Sequence, residues 1–535
     1  MGRRKKGRGA EAAPLAIRGR GGTAGGLRAA GPGLGARFGL WIPAVATVMN
    51  EIALILIPLI VAGVAFAWPD ERTRPWWLPV AGALHVASSG WLLVKPPAPA
   101  PGAWLGFDPL ARSVLPMISL LFFVSSLYAV AYLRVRGERR NRLFVFSLLV
   151  LLGFLSLAIQ AQHLGLLWVA AEAATLMTVP LIHFNGTARA FEASWKYLLV
   201  GGTGIALSLL GSFCLGYASL NAGGNGDLTF NALARQFVGL TGNFARDSHP
   251  WLVAAWVLLL VGYGTKMGLA PMHTWKPDVY GEAPGLVGVL LAGGTTTMAF
   301  VAVLRVKQIV DAAGDGAMTQ RTLLAIGLFS MLVAALFLLG TADFKRMLAY
   351  SSIEQMGVLA VGAGLGGLGV WAALFHVWTN SLTKGALFLS AGNIRRAADG
   401  RDKNAVSGMA WGAPLSARIF VTGLFAITAC PPFGLFFSEL LVVRTAFATG
   451  SLVTAGVFLA ALLFAFFGLT RLVFAIVDGR PRAAARATKN RFHETAGVIL
   501  PPLAFLGLSI WIGLATPPWL SGAWTAAMQL ISPAP

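Results

Sequence analysis

Long apolar runs alternate with short polar breaks from about residue 44 to about residue 515. Each run approaches the roughly 20 residues that an α-helix needs to cross a bilayer core about 30 Å thick. The runs fall at about 44–67, 77–94, 108–133, 143–160, 163–184, 194–218, 251–274, 283–304, 322–340, 347–363, 366–392, 416–442, 451–478 and 494–515. Lipid offers backbone groups no hydrogen bonds, so each run must close its own as a helix. The pattern predicts an all-α, polytopic membrane bundle of about fourteen transmembrane helices across residues 44–515. The widest break, about 220–250, is rich in Asn and Gly and predicts a surface loop. Residues 516–535 follow as a C-terminal tail. Residues 1–43 are Gly/Ala-rich and basic from Arg3 to Arg37, with Glu11 their one acid. Such a stretch buries too little apolar surface to order itself and lacks a signal-peptide core, so it predicts a disordered tail.

Composition agrees with the pattern. Of 535 residues, 56% are hydrophobic and 12% charged, against about a quarter charged in a soluble domain. The net charge of +21 suggests no nucleic-acid partner, because the basic residues concentrate in alternate loops facing a membrane surface. Numbered by the spans they join, the odd loops hold Arg72, Arg74, Arg134, Arg136, Arg139, Arg140, Arg142, Arg189, Lys345, Arg346, Arg395, Arg396, Arg401, Lys403, Arg480, Arg482, Arg486, Lys489 and Arg491. The even loops hold Lys95, Arg235, Arg246, Arg305, Lys307, Arg321 and Arg444. Lys and Arg stay on the cytoplasmic side, so the odd loops are expected there, with both ends of the bundle facing outward. A basic tail on the outer face conflicts with that rule. Met49 opens an apolar segment that needs no basic leader, so the functional chain is expected to begin at or near it, with residues 1–48 dispensable or untranslated.

The chemistry lies in ionisable residues placed inside the runs. Each costs about 2.5 to 3.5 kcal/mol at a helix centre on insertion scales, and such residues commonly mark ion paths. Glu172 stands in the fifth run, Lys266 in the seventh, His376 and Lys384 eight residues apart on one face of the eleventh, and Glu439 near the end of the twelfth. Desolvation disfavours the charged form of carboxylate and amine alike, so burial draws both toward conditions where a proton passes between them. A Glu beside a Lys holds it charged, and moving the Glu away releases the proton. A row of such pairs joined by water and His is a switchable proton wire, and the plainer alternative is a set of static buried ion pairs. Pro271 follows Lys266, while Pro431 and Pro432 precede Glu439, in the opposite chain order. That arrangement fits broken helices in inverted halves, as in transporters, or ordinary proline kinks.

Other motifs narrow the function. Cys214 and Cys430 stand far apart in apolar runs, so no cluster or disulfide framework forms from this chain. No His or Cys pair has zinc spacing, and no phosphate-binding glycine loop occurs. No cofactor is expected in this chain, and any redox centre belongs to partners. His85 reads as a packed or interfacial histidine.

The stretch from Gly262 through Lys266, Pro271, Met272, His273, Thr274 and Trp275, continued by Pro277-Asp278 and Glu282-Ala283-Pro284, resembles the antiporter-like proton-translocating membrane subunits of complex I, Mrp antiporters and membrane-bound hydrogenases. So do Lys345 through Gly357, His376 through Asn393, and Pro431-Pro432-Phe433-Gly434 to Ser438-Glu439. Ser351-Ser352-Ile353-Glu354, Ser381-Leu382-Thr383-Lys384 and Glu192 through Leu199 look most like the F-type branch of the hydrogenase-4 membrane subunits. The resemblance implies fourteen helices with two inverted five-helix repeats and broken seventh and twelfth helices. It implies that Glu172 and Lys266 form the input pair, that Lys384 with His376 are central carriers, and that Glu439 is the outlet. His273, Asp278, Glu282, Glu354, Pro271, Pro431 and Pro432 are its supporting positions. Two departures bear on the path. The eighth run has Thr295, Thr296 and Thr297 where some members place a central ionisable group, so connection there is expected through water or these hydroxyls. Gln355 stands where many have His, and Tyr280 and Leu286 replace a His and a Pro.

The reading is a proton-translocating subunit of a hydrogenase-4-like or NADH-quinone-oxidoreductase-like complex in a prokaryotic cytoplasmic membrane. Its implied partners are other membrane subunits, membrane lipid and a peripheral redox module with iron–sulfur or nickel–iron centres. The alternatives are an Mrp-like or inorganic-carbon-uptake proton/cation subunit without redox partner, and a stand-alone membrane transferase, which would need catalytic His/Asp clusters in interfacial loops.

Overall fold

Helix is what the apolar runs form. The computed structural model describes residues 34–97, 102–239, 242–398, 407–477 and 493–532, with side chains from Glu51 on. Residues 1–33, most of the segment read as a disordered tail, lie outside the described residues. So do Arg401, Lys403 and the basic stretch 478–492. The chain divides into Met1–Thr47 and Val48–Pro535. Helix α1, Leu34–Ala67, begins within the residues read as tail.

The following helices are α2 (Trp77–Val94), α3 (Pro109–Val135), α4 (Arg142–Gln160), α5 (Leu164–Ile182), α6 (Ala188–Asn221), α7 (Phe230–Phe237), α8 (Gly242–Met267) and α9 (Trp275–Glu282). After them come α10 (Gly285–Leu290), a π-turn at Leu291–Thr295, α11 (Thr296–Ala312), α12 (Gly316–Gly340), α13 (Phe344–Leu365) and α14 (Leu368–Ala398). The last five are α15 (Pro414–Ile427), α16 (Gly434–Ala448), α17 (Leu452–Val477), α18 (Ala496–Leu514) and α19 (Pro518–Ile531). Among the described residues there is no strand beyond two isolated bridges, Leu105 with Ala161 and His163 with Thr229.

Among the described residues ten helices are long and apolar enough to cross a membrane, and the apolar segments Glu51–Ala67 and Pro414–Ile427 are shorter. Neither α13 nor α14 is among the ten, because they carry Lys345, Ser351, Ser352, Glu354, Gln355, His376, Asn380 and Lys384. They need no apolar surface. Residues 351–365 and 372–391 are buried without interruption, so they meet protein where an outer helix meets lipid.

Two interruptions shape the interior. Between α8 and α9 the freed backbone finds protein partners: Ser330 Oγ accepts from Ala270 N at 2.9 Å, and the Thr265 carbonyl accepts from the Trp275 indole at 2.9 Å. Gly268 takes φ +75°, a left-handed conformation that a side chain would strain. Between α15 and α16 the Phe425 carbonyl accepts from Cys430 N at 2.9 Å. Pro271, Pro431 and Pro432 lie in these interruptions with exposed rings.

Three expectations change. The stretch 220–250 is more than a surface loop: it holds α7, whose Phe230, Leu233 and Phe237 are buried, and the start of α8. The tail 516–535 holds α19, whose Leu520, Ala523, Trp524, Ala527 and Ile531 form a buried stripe at helical spacing against α3 and α14. Arg305 and Lys307, counted as loop charges, lie inside α11 and are buried. Arg305 makes a two-pronged bond to Asp108 at 2.7 and 3.1 Å, and Lys307 pairs with Asp311 one turn along. The span from Gly285 to Ala312 is enclosed on all sides. Its Gly293 and Gly294 leave room for Leu121, Ser381 and Leu155.

The tightest seam joins α6 to α8. Gly204, Ser208 and Gly211 form a small-residue ridge on α6, and Gly262 and Thr265 meet it from α8. A Cβ added at Gly262 would sit 2.1 Å from Ser208 Oγ and 2.5 Å from the Gly204 carbonyl. Association of helices in lipid rests on such close packing. Alanine is the better helix former by about 1 kcal/mol, so the sign of its effect reports the clash. Gly262→Ala is expected to lower the thermal midpoint of the detergent-solubilised protein by several degrees, consistent with an overpacking cost of about 1–3 kcal/mol. Gly63→Ala, with nothing within 4 Å of the new Cβ, is expected to leave the midpoint unchanged or raise it.

Candidate functional site

Lys266 occupies the last turn of α8, the end of the helix that favours a positive charge. Its side chain is 4% exposed, and Nζ lies 3.7 Å from Glu172 Oε2 on α5. Nζ also donates to Thr175 Oγ1, one turn beyond Glu172. The Tyr197 ring is 5.6 Å away, and a Cβ on Gly201 would reach Nζ at 3.0 Å, so α6 brings a glycine where a larger residue would push the lysine off. Attraction between opposite charges at this separation is about 4 kcal/mol at an effective dielectric of 20. That offsets most of the insertion cost of the two charges, about 2.5–3.5 kcal/mol each, and the Thr175 hydroxyl adds a hydrogen bond to the ammonium.

The second group surrounds α14. Lys384 Nζ donates to Ser351 Oγ at 2.7 Å and to the Leu348 carbonyl at 3.2 Å, both on α13. Among the described residues no carboxylate lies within 4.0 Å of it. Glu354, two turns from Leu348 along α13, is within its electrostatic reach. Glu354 in turn faces Glu439 on α16, and the Gln355 side chain neighbours both carboxylates. His376 Nδ1 shares a hydrogen bond of 2.9 Å with Ser438 Oγ, beside Glu439. Burial here is nearly complete, and several polar atoms nonetheless have no protein partner: Glu354 Oε2, His376 Nε2, Asn380 Oδ1, Ser381 Oγ and Glu439 Oε1. Buried polar atoms are rarely left so.

The five residues expected to carry protons thus fall into two groups, Glu172 with Lys266, and Lys384 with Glu439 and His376, which the supporting residue Glu354 joins. The supporting residues scatter. Asp278 is tied to Lys196 at 2.9 Å and Arg346 at 2.6 Å in a peripheral ion cluster. Glu282 is buried at the end of α9. His273 is half-buried beside Phe337. His85 is a packed histidine, bonded to Ser119, Ser156 and the Leu54 carbonyl at 2.8–3.0 Å. The threonines of the eighth run do not supply free hydroxyls throughout: Thr295 and Thr296 donate to the carbonyls of Leu291 and Ala292, one turn back in their own helix.

Sequence reasoning missed Lys276, which it passed over as lying beyond the seventh run. It is fully buried at the start of α9 with Nζ 3.4 Å from Ser352 Oγ. It missed Thr175, Gly201, Ser351 and Ser438 as well. Serines and glycines at helical spacing carry no signal until their neighbours are known, but a lysine between Trp275 and Pro277 in a mostly apolar context was visible.

The chain resembles several known proteins. It is 31% identical over 470 residues to a hydrogenase-4 component F homolog of Methylacidiphilum infernorum, covering 85% of this chain and 97% of that protein. It is 29% identical to NADH-quinone oxidoreductase subunit N of Desulforudis audaxviator, over 86% and 88%. A chain of the Mrp complex from a Dietzia species superposes with a TM-score of 0.77 at 20% identity, over 91% and 98%, a likeness of fold. Residues 161–465 match the family described as NADH:quinone oxidoreductase/Mrp antiporter, transmembrane, and with its near-full-length relatives this places the chain in that family of polytopic membrane proteins.

Proposed function

We propose that this chain moves protons across a prokaryotic cytoplasmic membrane as the antiporter-like subunit of a hydrogenase-4-like or NADH-quinone-oxidoreductase-like complex. The observation that carries the reading is the row of ionisable side chains from Glu172 to Glu439, of which Lys266, Glu354, His376, Lys384 and Glu439 are buried, edged with unpartnered polar atoms. The near-full-length relatedness to a hydrogenase-4 component and to a quinone oxidoreductase subunit supports the kind of complex. Fourteen spans in two inverted five-helix repeats accord with two interruptions, one after Lys266 and one before Glu439. Both ends of the bundle facing outward accords with the loop charges, the more so since Arg305 and Lys307 belong to a helix. Electron transfer belongs to partner subunits with their own iron–sulfur or nickel–iron centres, and this chain holds no cofactor.

In this mechanism Glu172 and Lys266 form the input switch. While the carboxylate stays near, the ammonium holds its proton, and when the pair separates the proton moves inward. Lys384 receives it, Glu354, oriented by the Gln355 side chain, relays it, and Glu439 with Ser438 and His376 releases it. Asp278, with its two cationic partners, fastens α9 to α6 and α13.

Lys266→Ala and Glu172→Ala are expected to abolish proton movement in sealed vesicles while the complex assembles, because the remaining partner can lose its charge. Parental rates from either variant would remove the input pair from the path. At the outlet the expected order of proton release is glutamate, then aspartate, then glutamine nearly inactive, since glutamine keeps size and hydrogen bonding but cannot exchange a proton. Proton release from Glu439→Gln vesicles equal to that of the parent would make this carboxylate structural. Proton movement that persists without any redox partner but requires an opposing cation would favour the Mrp-like alternative.

A further inference from the structure

The two ionisable groups leave a gap between Lys266 and Lys384, and the eighth run, which lies nearest the middle of the chain's enclosed helices, has no titratable side chain to fill it. Lys276 stands in that gap. The break after α8 turns the chain at Gly268, and a Cβ there would lie 2.5 Å from Lys276 Cδ and Cε and 3.0 Å from Nζ. The left-handed glycine therefore does two things: it makes the turn, and it leaves the slot that the lysine stem fills. Nζ is then aimed at Ser352 Oγ, 3.4 Å away, and lies 5.9 Å from the centre of the Tyr280 ring. Ser352 is next to Ser351, the residue that holds Lys384. The charge of Lys384 reaches Lys276 through the enclosed interior. On the other side, the aromatic neighbours of Lys276 lead back to the input pair, since Trp275 packs at 5.1 Å on Tyr197, the ring that faces Lys266.

A buried lysine kept only for structure needs a counter-charge. Lys266 has one and Arg305 has one. Among the described residues Lys276 has no carboxylate within 4.0 Å, and its one hydrogen bond is long. Two ammonium groups in one enclosed site repel, so a proton on Lys276 weakens the hold on a proton at Lys384. That is what a relay needs and a brace does not.

We propose that Lys276 is the central proton carrier of this chain, bridging the Glu172–Lys266 pair and Lys384 through the Ser352 hydroxyl. The inference rests on the proton-translocating reading above. In the step, Nζ gains a proton from the Lys266 side and becomes ammonium. It then gives a proton to the Ser352 oxygen as that hydroxyl passes its own on to Ser351, whose hydroxyl gives up its proton to the Lys384 amine 2.7 Å away, so Lys276 returns to the neutral amine. The tyrosine at position 280 walls the site beside it, its buried hydroxyl close to Ser352.

The test uses the native complex in sealed vesicles, with proton uptake followed by a pH-sensitive dye under an imposed potassium diffusion potential. Lys276→Met, close in size but without a titratable group, is expected to conduct at least about tenfold more slowly than the parent, and Lys276→His to recover part of that loss. Ser352→Ala, a small interior change that tests the same bridge should the methionine variant fail to assemble, is expected to slow conduction several-fold. Lys266→Met is measured beside them. If it is slow while Lys276→Met, or Lys276→His together with Ser352→Ala, conducts at the parental rate, Lys276 is not the carrier and the wider reading stands. If Lys266→Met also conducts like the parent, the proton-path reading itself has failed.

Discussion

A charge inside a lipid-surrounded bundle must find its balance inside the bundle, and the seam between α6 and α8 is where this chain meets that constraint. Glycines at 201, 204 and 262 let the two helices approach until Lys266 lies against bare backbone, within 3.7 Å of Glu172 on α5. A bulkier seam would hold the lysine away from its carboxylate and leave an unbalanced ammonium at a cost of about 2.5–3.5 kcal/mol. The Thr175 hydroxyl on α5 also accepts from the ammonium, and the break that ends α8 makes the turn under which Lys276 is seated.

The same constraint sorts the helices. Outer ones such as α12 and α17 are apolar and expose large side chains, Phe329, Leu336, Phe464 and Phe467 among them. Inner ones, α13 and α14, are polar enough to fall outside a hydropathy criterion for spans and are covered on every face. Static charges and mobile ones are also handled differently. Arg305 is pinned by two bonds to Asp108 and a third to the Ile159 carbonyl at 2.9 Å. Lys276 and Lys384 have hydroxyls and a backbone carbonyl, partners that hold a proton without fixing it.

Much of this was legible in the sequence because period and hydropathy report local structure. The helix ends at Gln160, Gly340 and Leu514 fall within a residue or so of the predicted edges. Glu172, Lys266, Lys384 and Glu439 stood out because a charge in an apolar run is rare. What was not legible depends on contacts between distant segments. Arg305 looked like a loop residue because its run seemed to end there, and only Asp108, far away in the chain, explains its burial. The α19 stripe was hidden by the prolines around it. Lys276 was lost because a helix break resembles a span's end, and the reading stopped at the break. Gly201 had no signal at all, since its role is to make room, and Ser351 was legible only as part of the Ser351-Ser352-Ile353-Glu354 motif, not for the bond it accepts from Lys384.

Infrared difference spectroscopy of the complex in sealed, energised vesicles tests most directly whether these buried groups exchange protons. A proton path predicts a change in the carbonyl stretch of protonated carboxyl groups when the membrane is energised, with part of that change missing in Glu439→Gln. A static set of ion pairs would leave the carboxyl region flat in the parent protein, and that result would contradict the account.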